Sequence, residues 1–191
     1  MDIFRIISDQ ILKDSVISKI GKSVGVEPNK VEQIVRLGMP TILQALGRNA
    51  STSNGKLELS AALDQHQDDK IGNIEGFLDN VDTKDGLKIL GHAFQDKNGL
   101  VQNNLAKKVG LEGIQVSGIL ALLAPLLMGI LGQEKKKQNV DAANIPALIN
   151  SMLSPDGEHN AMDMFSNLLD SDKDGDVMDD LGKIFSGLFK K

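Results

Sequence analysis

The longest apolar stretch of the chain runs from Val116 to Gly132 and contains no charged residue in seventeen positions. A helix that is apolar on every side must be surrounded by other helices or by lipid. Seventeen helical residues span roughly 25 Å, which is shorter than the roughly 30 Å hydrocarbon core of a bilayer, and Pro125 interrupts the run. The pattern favours a buried central helix of a soluble bundle, with membrane insertion as the alternative.

The other apolar residues recur at helical spacing, and no useful stretch alternates in the way that a strand requires. Glu27-Pro28 is predicted to open a helix whose apolar stripe continues to Gly47. Residues 49–56 are predicted to form a turn-rich loop and residues 133–139 a solvated turn. The expected fold class is therefore all-α, a multi-helical single domain.

The first half of the chain returns in the second half at an offset of 85 residues. A glycine turn, a mid-helix proline and a terminal glycine all match: Gly25 with Gly110, Pro40 with Pro125, and Gly47 with Gly132. Such matches predict a tandem duplication within a bundle of residues 1–153, with repeat units of about 1–66 and 87–153. Chance alignment of leucine-rich helices is the alternative. The first unit's long helix carries Glu32 and Arg36, so it is expected to be amphipathic and nearer the surface.

Composition narrows the class of protein. The chain is 41% hydrophobic and 25% charged, which is typical of a globular protein. It has no cysteine, so disulfides and thiolate sites are excluded, and it has six Phe but no Trp or Tyr. The net charge of −5 and the scarcity of aromatic side chains argue against nucleic acid as a partner. The first fifteen residues do not resemble a signal peptide, so cytoplasmic localisation is expected.

One stretch resembles a known family. Leu90-Gly91-His92-Ala93-Phe94, then a glycine turn and a helix with the sequence LLAPLLMG, is similar to the signature of the bacterial YidB-like family of unknown function (DUF937). The Asp-rich segment before Asp179-Asp180-Leu181 is similar to the tails of many members. The resemblance implies an all-helical fold with a buried central helix, and it implies no activity.

Residues 154–191 are predicted to form an acidic loop followed by an amphipathic C-terminal helix. The loop places carboxylates at calcium-loop positions 1, 3, 5 and 7 and Gly175 at position 6, where a sharp turn is needed. Leu181 stands where a bidentate glutamate is usual, so two further aspartates are expected to complete a weak site, with a dissociation constant of roughly 10⁻⁵ to 10⁻³ M. The predicted ligands are Asp170, Asp172, Asp174, Asp176, Asp179 and Asp180. The alternative is a solvated acidic turn without a metal.

The remaining chemistry is sparse. His92 is predicted to pack in the core, whereas His66 and His159 are predicted to be solvated loop residues. Neither a nucleophile elbow nor a phosphate-binding loop is present, and the glycines of Gly110-x-x-Gly113 and Gly129-x-x-Gly132 are expected to permit close helix approach. The segment from Leu181 to Lys191 has one apolar face that could dock on the bundle, on a partner or on a membrane.

These patterns together predict a non-enzymatic helical scaffold or interaction protein with calcium as its cofactor. Its partner is expected to be an unidentified protein, with self-association left open. Membrane association or insertion is the alternative function.

Overall fold

The computed structural model describes residues 10–153, which form eight α-helices, two short 3-10 helices and no strand. In chain order the helices are α1 (Asp14–Val24), α2 (Pro28–Asn49), α3 (Ser53–His66), α4 (Ile74–Asn80), α5 (Thr83–Phe94), α6 (Asn98–Val109), α7 (Gly113–Lys137) and α8 (Ile145–Leu153). The predicted all-α class is confirmed for the described range. The acidic loop and the C-terminal helix predicted for residues 154–191 lie outside it.

Helix α7 is the centre of the bundle, and each of the seven other helices contacts it. Every residue from Ile119 to Gly132 is buried, as the uncharged run predicted. Burial follows from composition, because a helix without a polar face is stable only when other apolar surfaces cover it. Within residues 10–153 the core is one cluster of mainly aliphatic residues, and Phe94 is the buried phenylalanine among its members.

The length of α7 differs from expectation. Its 25 residues correspond to about 37 Å, and an 18-residue window within Gly113–Gln138 has a mean hydropathy of 2.2, so the helix is long and apolar enough to cross a membrane. The core helix of a soluble protein passes the same test, and 78% of this apolar window is buried inside the bundle. Packing, rather than the length argued from the sequence, is therefore what distinguishes α7 from an isolated membrane span.

Two segments predicted as loops are partly helical. Helix α3 begins at Ser53, since the Thr52 hydroxyl caps it by accepting a hydrogen bond from the Gly55 amide at 3.0 Å. Helix α7 continues through the predicted turn to Lys137. Its last residues bind α3 and the segment after it, because Lys135 pairs with Asp64 and Lys136 Nζ lies 2.6 Å from Asp68 Oδ1.

Helix α2 is amphipathic, as expected. Val31, Ile34 and Ile42 are fully buried, whereas Gln33 and Arg36 are exposed. The long helices α2 and α7 begin in the same way, 85 residues apart. Each follows a left-handed glycine, Gly25 at φ 68° and Gly110 at φ 71°, and each contains a proline in its interior. The duplication stays a prediction that these matched features support.

Candidate functional site

The residues predicted to bind calcium lie outside the part of the chain that the structure describes. They are Asp170, Asp172, Asp174, Asp176, Asp179 and Asp180. Within residues 10–153, no group of three or more histidine, aspartate or glutamate side chains could hold a metal ion. The calcium site stays a prediction from the sequence.

The prediction that His92 packs in the core is wrong, because its side chain is exposed. Helix α5 buries Ile89, Leu90 and Phe94, and His92 lies on the opposite side of the helix. At about 100° per residue, Leu90, Ala93 and Phe94 fall on one side of α5 and His92 on the other, so the spacing itself favoured an exposed histidine and the prediction overlooked it.

His66 also differs from expectation, because its side chain is only 16% exposed. Its Nδ1 atom lies 2.8 Å from Asp69 Oδ2, and its Nε2 atom lies 3.6 Å from Asp85 Oδ2. These contacts join the end of α3, the segment after it and the first turn of α5. His66 is therefore a structural polar residue of the described bundle, while His159 lies outside the described range.

A cavity of about 320 Å³ opens beside α7 and is the candidate site of the described chain. Its apolar lining consists of Val16, Ile71, Ile74, Leu126 and Ile130. The exposed side chains of its lining are polar and come from the chain before α1 and from the start of α4: Gln10, Lys13, Asn73 and Glu75. An apolar interior with polar groups only at its edge is typical of a site that binds by hydrophobic contact.

The wall of this cavity is held against α7 by a glycine and a glutamine. A side-chain carbon at Gly129 would lie 2.8 Å from Ile71 Cγ2 and 3.2 Å from Asp69 Cβ, so only glycine lets the segment after α3 approach so closely. Gln133 Nε2 donates a hydrogen bond of 2.6 Å to the Asp69 carbonyl oxygen. The predicted role of Gly129 and Gly132 in close approach is confirmed, since a Cβ at Gly132 would lie 2.6 Å from the Leu63 carbonyl oxygen. The same prediction for Gly110 and Gly113 is wrong, because a Cβ there would meet only the side-chain atoms Lys30 Nζ at 3.8 Å and Asn103 Oδ1 at 3.3 Å.

Polar contacts fix α4 on the other side of the cavity. The Ser15 hydroxyl donates to Glu75 Oε1 at 2.7 Å, and Asn73 Oδ1 caps α4 by accepting from the Gly76 amide at 3.1 Å. Lys19 Nζ lies 2.6 Å from Asp79 Oδ1. Glu75 and Asn73 thus already have partners within the fold, which leaves the apolar floor as the main binding feature.

A second hollow of about 490 Å³ adjoins the first, because Asn73 lines both. The half-buried ring of Phe77 and the neighbouring Lys70 contribute to its lining. The rest of its lining is Asp69, Asn73, Gly76 and Asn80, so the second hollow extends the apolar cavity with a mostly polar surface.

Sequence reasoning identified part of this site. Leu126 and Ile130 belong to the uncharged run and were expected to be buried. The pattern did not indicate that Ile71 and Ile74 approach them, because more than 50 residues of sequence separate the two groups. Gly129 and Gly132 are the local signals that another segment crosses α7 near its C-terminal half.

No curated protein and no solved structure matches the chain. A family model described as a bacterial protein of unknown function (DUF937) matches residues 7–134 and 133–190. These two matches cover nearly the whole sequence, and the all-helical fold agrees with the resemblance seen in the sequence. The chain belongs to this bacterial family of unknown function, DUF937.

Proposed function

We propose that this protein is a non-enzymatic, cytoplasmic helical interaction protein whose C-terminal segment docks on the bundle when calcium binds the acidic loop. The observation that carries the proposal is the cavity beside α7. Its floor is apolar, and its edge residues Glu75 and Asn73 are already bound within the fold. Such a site suits apolar side chains better than a polar substrate.

The C-terminal segment has the complementary chemistry. Leu181, Ile184, Phe185, Leu188 and Phe189 would share one face of a helix. A cavity of about 150 Å³ holds a molecule of benzene, so 320 Å³ has room for roughly two large side chains of this kind. An amphipathic helix that places its apolar face in a groove is a common mode of recognition. A protein partner with such a helix would compete for the same cavity.

Calcium binding would regulate this docking. Residues 154–191 carry nine acidic residues and four lysines, so the tail holds a net charge equal to the −5 of the whole chain. Self-repulsion between the carboxylates opposes a compact tail, and a bound divalent cation reduces that repulsion. Calcium coordinated by Asp170, Asp172 and Asp174 would fix the loop directly before Leu181.

Paramagnetic broadening in the full chain tests the proposal. The chain has no cysteine, so Lys190→Cys gives a single site for a nitroxide label and leaves the apolar side chains of the proposed docking face in place. With calcium, we expect strong broadening of the methyl signals of Ile130 and Val16, and little broadening of Val101, which does not line this cavity. Addition of EDTA is expected to restore the signals.

The matched control is the labelled chain with Asp172→Ala and Asp174→Ala, which should show no calcium-dependent broadening. Equal broadening with and without calcium would refute calcium control. Saturable calcium binding by calorimetry without any broadening at Ile130 would refute docking in the cavity.

Membrane association is the second candidate, and the apolar length of α7 favours it. Insertion would require α7 to leave the bundle and give up the burial of its central residues, from Ile119 to Gly132. Flotation with vesicles of phosphatidylethanolamine and phosphatidylglycerol measures it directly. Recovery of all the protein in the soluble fraction, with and without calcium, would exclude this function under those conditions.

A further inference from the structure

Two hydrogen bonds join the halves of the chain in a reciprocal way. Lys30 Nζ donates to the Gly110 carbonyl oxygen at 2.6 Å, and Gln115 Nε2 donates to the Gly25 carbonyl oxygen at 3.3 Å. Lys30 and Gln115 are 85 residues apart, and so are Gly25 and Gly110. Contacts in which two equivalent residues exchange places are those of a two-fold interface. The two long helices therefore meet as the subunits of a two-fold dimer would.

The other helices are arranged by the same two-fold relation between the halves of the chain. Helices α1 and α6 each contact both α2 and α7, while α3 packs on α7 and α8 packs on α2. Helix α5 packs along α7, where Gly86 meets the backbone of Ala121. Among the described helices of the first half, α1 and α3 correspond to α6 and α8, and α4 packs on α1 and α7. None of them is the counterpart of α5 on α2.

The residues directly before α1 have the conformation that such a counterpart of α5 requires. Gln10 and Ile11 are helical, and a two-residue turn then leads into α1, much as a short 3-10 turn leads from α5 into α6. When the two helices are aligned at their last residues, the apolar positions coincide: Ile3 with Gly86, Ile6 with Ile89, Ile7 with Leu90, and Ile11 with Phe94. Ile11 is fully buried, as Phe94 nearly is.

The face of α2 that would receive this segment is incompletely covered. Leu37 and Pro40 are half-buried, whereas their equivalents on α7, Leu122 and Pro125, are buried under neighbouring helices. Arg36, the equivalent of Ala121, is exposed. An apolar segment across this face would cover Leu37 and Pro40 and the carbon stem of Arg36, with the guanidinium left in water.

We propose that residues 1–9 form a helix that packs across α2 at Arg36, Leu37 and Pro40, in the way that α5 packs across α7. The Arg36 guanidinium already pairs with Glu32 one turn earlier on α2, with Nη2 2.8 Å from Oε1, so the docking depends on the apolar contacts with Leu37 and Pro40. In this arrangement the N-terminal segment completes the two-fold plan of the fold and stays out of the cavity beside α7. The inference is independent of calcium binding and of tail docking.

Disulfide trapping in the full chain tests this placement without competing thiols, because the native sequence has no cysteine. The test pair is Ile3→Cys with Arg36→Cys, the equivalents of Gly86 and Ala121. A Cβ on Gly86 would lie 3.0 Å from the Ala121 Cα atom, so a segment that carries any Cβ at position 3 must lie farther from α2, toward the spacing at which disulfides form. The matched control is Ile3→Cys with Ile74→Cys, which probes the cavity instead.

We expect the test pair to form an intramolecular disulfide at least about tenfold faster than the control pair, since only adjacent thiols have a high effective concentration. Far-UV circular dichroism of both variants before oxidation shows that they are folded. Faster closure of the control pair would place the segment in the cavity and overturn the proposal. A disulfide-linked dimer would mean exchange of the segment between copies, and equal slow closure of both pairs would mean that it does not dock on α2; either result also overturns it.

Discussion

The contact between α5 and α7 leads to a prediction whose sign depends on two opposing effects. An alanine Cβ at Gly86 would lie 1.9 Å from the Ala121 carbonyl oxygen, whereas ordinary contacts begin near 3.4 Å. The two helices must therefore separate by roughly 1.5 Å. Because a gap of 0.5–1 Å already forfeits about a quarter to a half of a van der Waals well, the side chains that α5 buries lose much of their contact with α7.

The expected loss in the free energy of unfolding follows from the burial of these side chains. Ile89, Leu90 and Phe94 are each at least nine-tenths buried, and full burial of each contributes about 1.5–3 kcal/mol. Because a separation of about 1.5 Å exceeds that gap, about half of this total of roughly 4.5–9 kcal/mol is lost, which costs roughly 2–4 kcal/mol. Replacing glycine by alanine inside a helix returns about 1 kcal/mol. We therefore expect Gly86→Ala to lower the free energy of unfolding by about 1–3 kcal/mol.

The assay is urea unfolding followed by circular dichroism at 222 nm, because the chain has no tryptophan or tyrosine to report by fluorescence. Gly91→Ala is the matched control in the same helix, since a Cβ there meets no atom within 4 Å. It should raise stability by about 0.5–1 kcal/mol through helix propensity alone. If Gly86→Ala proves as stable as Gly91→Ala, the close approach of α5 to α7 is refuted.

Three further substitutions have definite expectations, each measured by the same urea unfolding. Leu123→Ala, in the centre of α7 with no exposed surface, should cost about 2–5 kcal/mol, and a loss under 1 kcal/mol would contradict its burial. Gly25→Ala should cost about 1–2 kcal/mol through its positive φ of 68°, although space is free around it; unchanged stability would contradict the left-handed turn. Lys136→Ala breaks an exposed pair with Asp68 and should change stability by less than about 1 kcal/mol, whereas a larger loss would indicate a stronger tie at the end of α7.

The helices and the burial of α7 could be predicted from the sequence because both depend on local pattern. An uncharged run from Val116 to Gly132 requires cover on all sides wherever it lies in the fold. The starts of α2 and α7 also depend on neighbouring residues, since a left-handed glycine and a capping residue act on the backbone within a few positions. Pro28 marked the first turn of α2 for the same reason.

Other features depend on residues that are distant in the chain, and only the tertiary structure decided them. The QEKKK segment is polar and was predicted as a turn, yet it continues α7. Gln, Glu and Lys are good helix formers, and in the tertiary structure Gln133 donates to the Asp69 carbonyl oxygen and Lys135 pairs with Asp64. The cavity exists because the segment with Ile71 crosses α7 at Gly129. Periodicity reports which face of a helix is apolar, but it does not report which segment covers that face. That choice is made by packing between residues some 60 positions apart, whose contacts leave no local signature in the sequence.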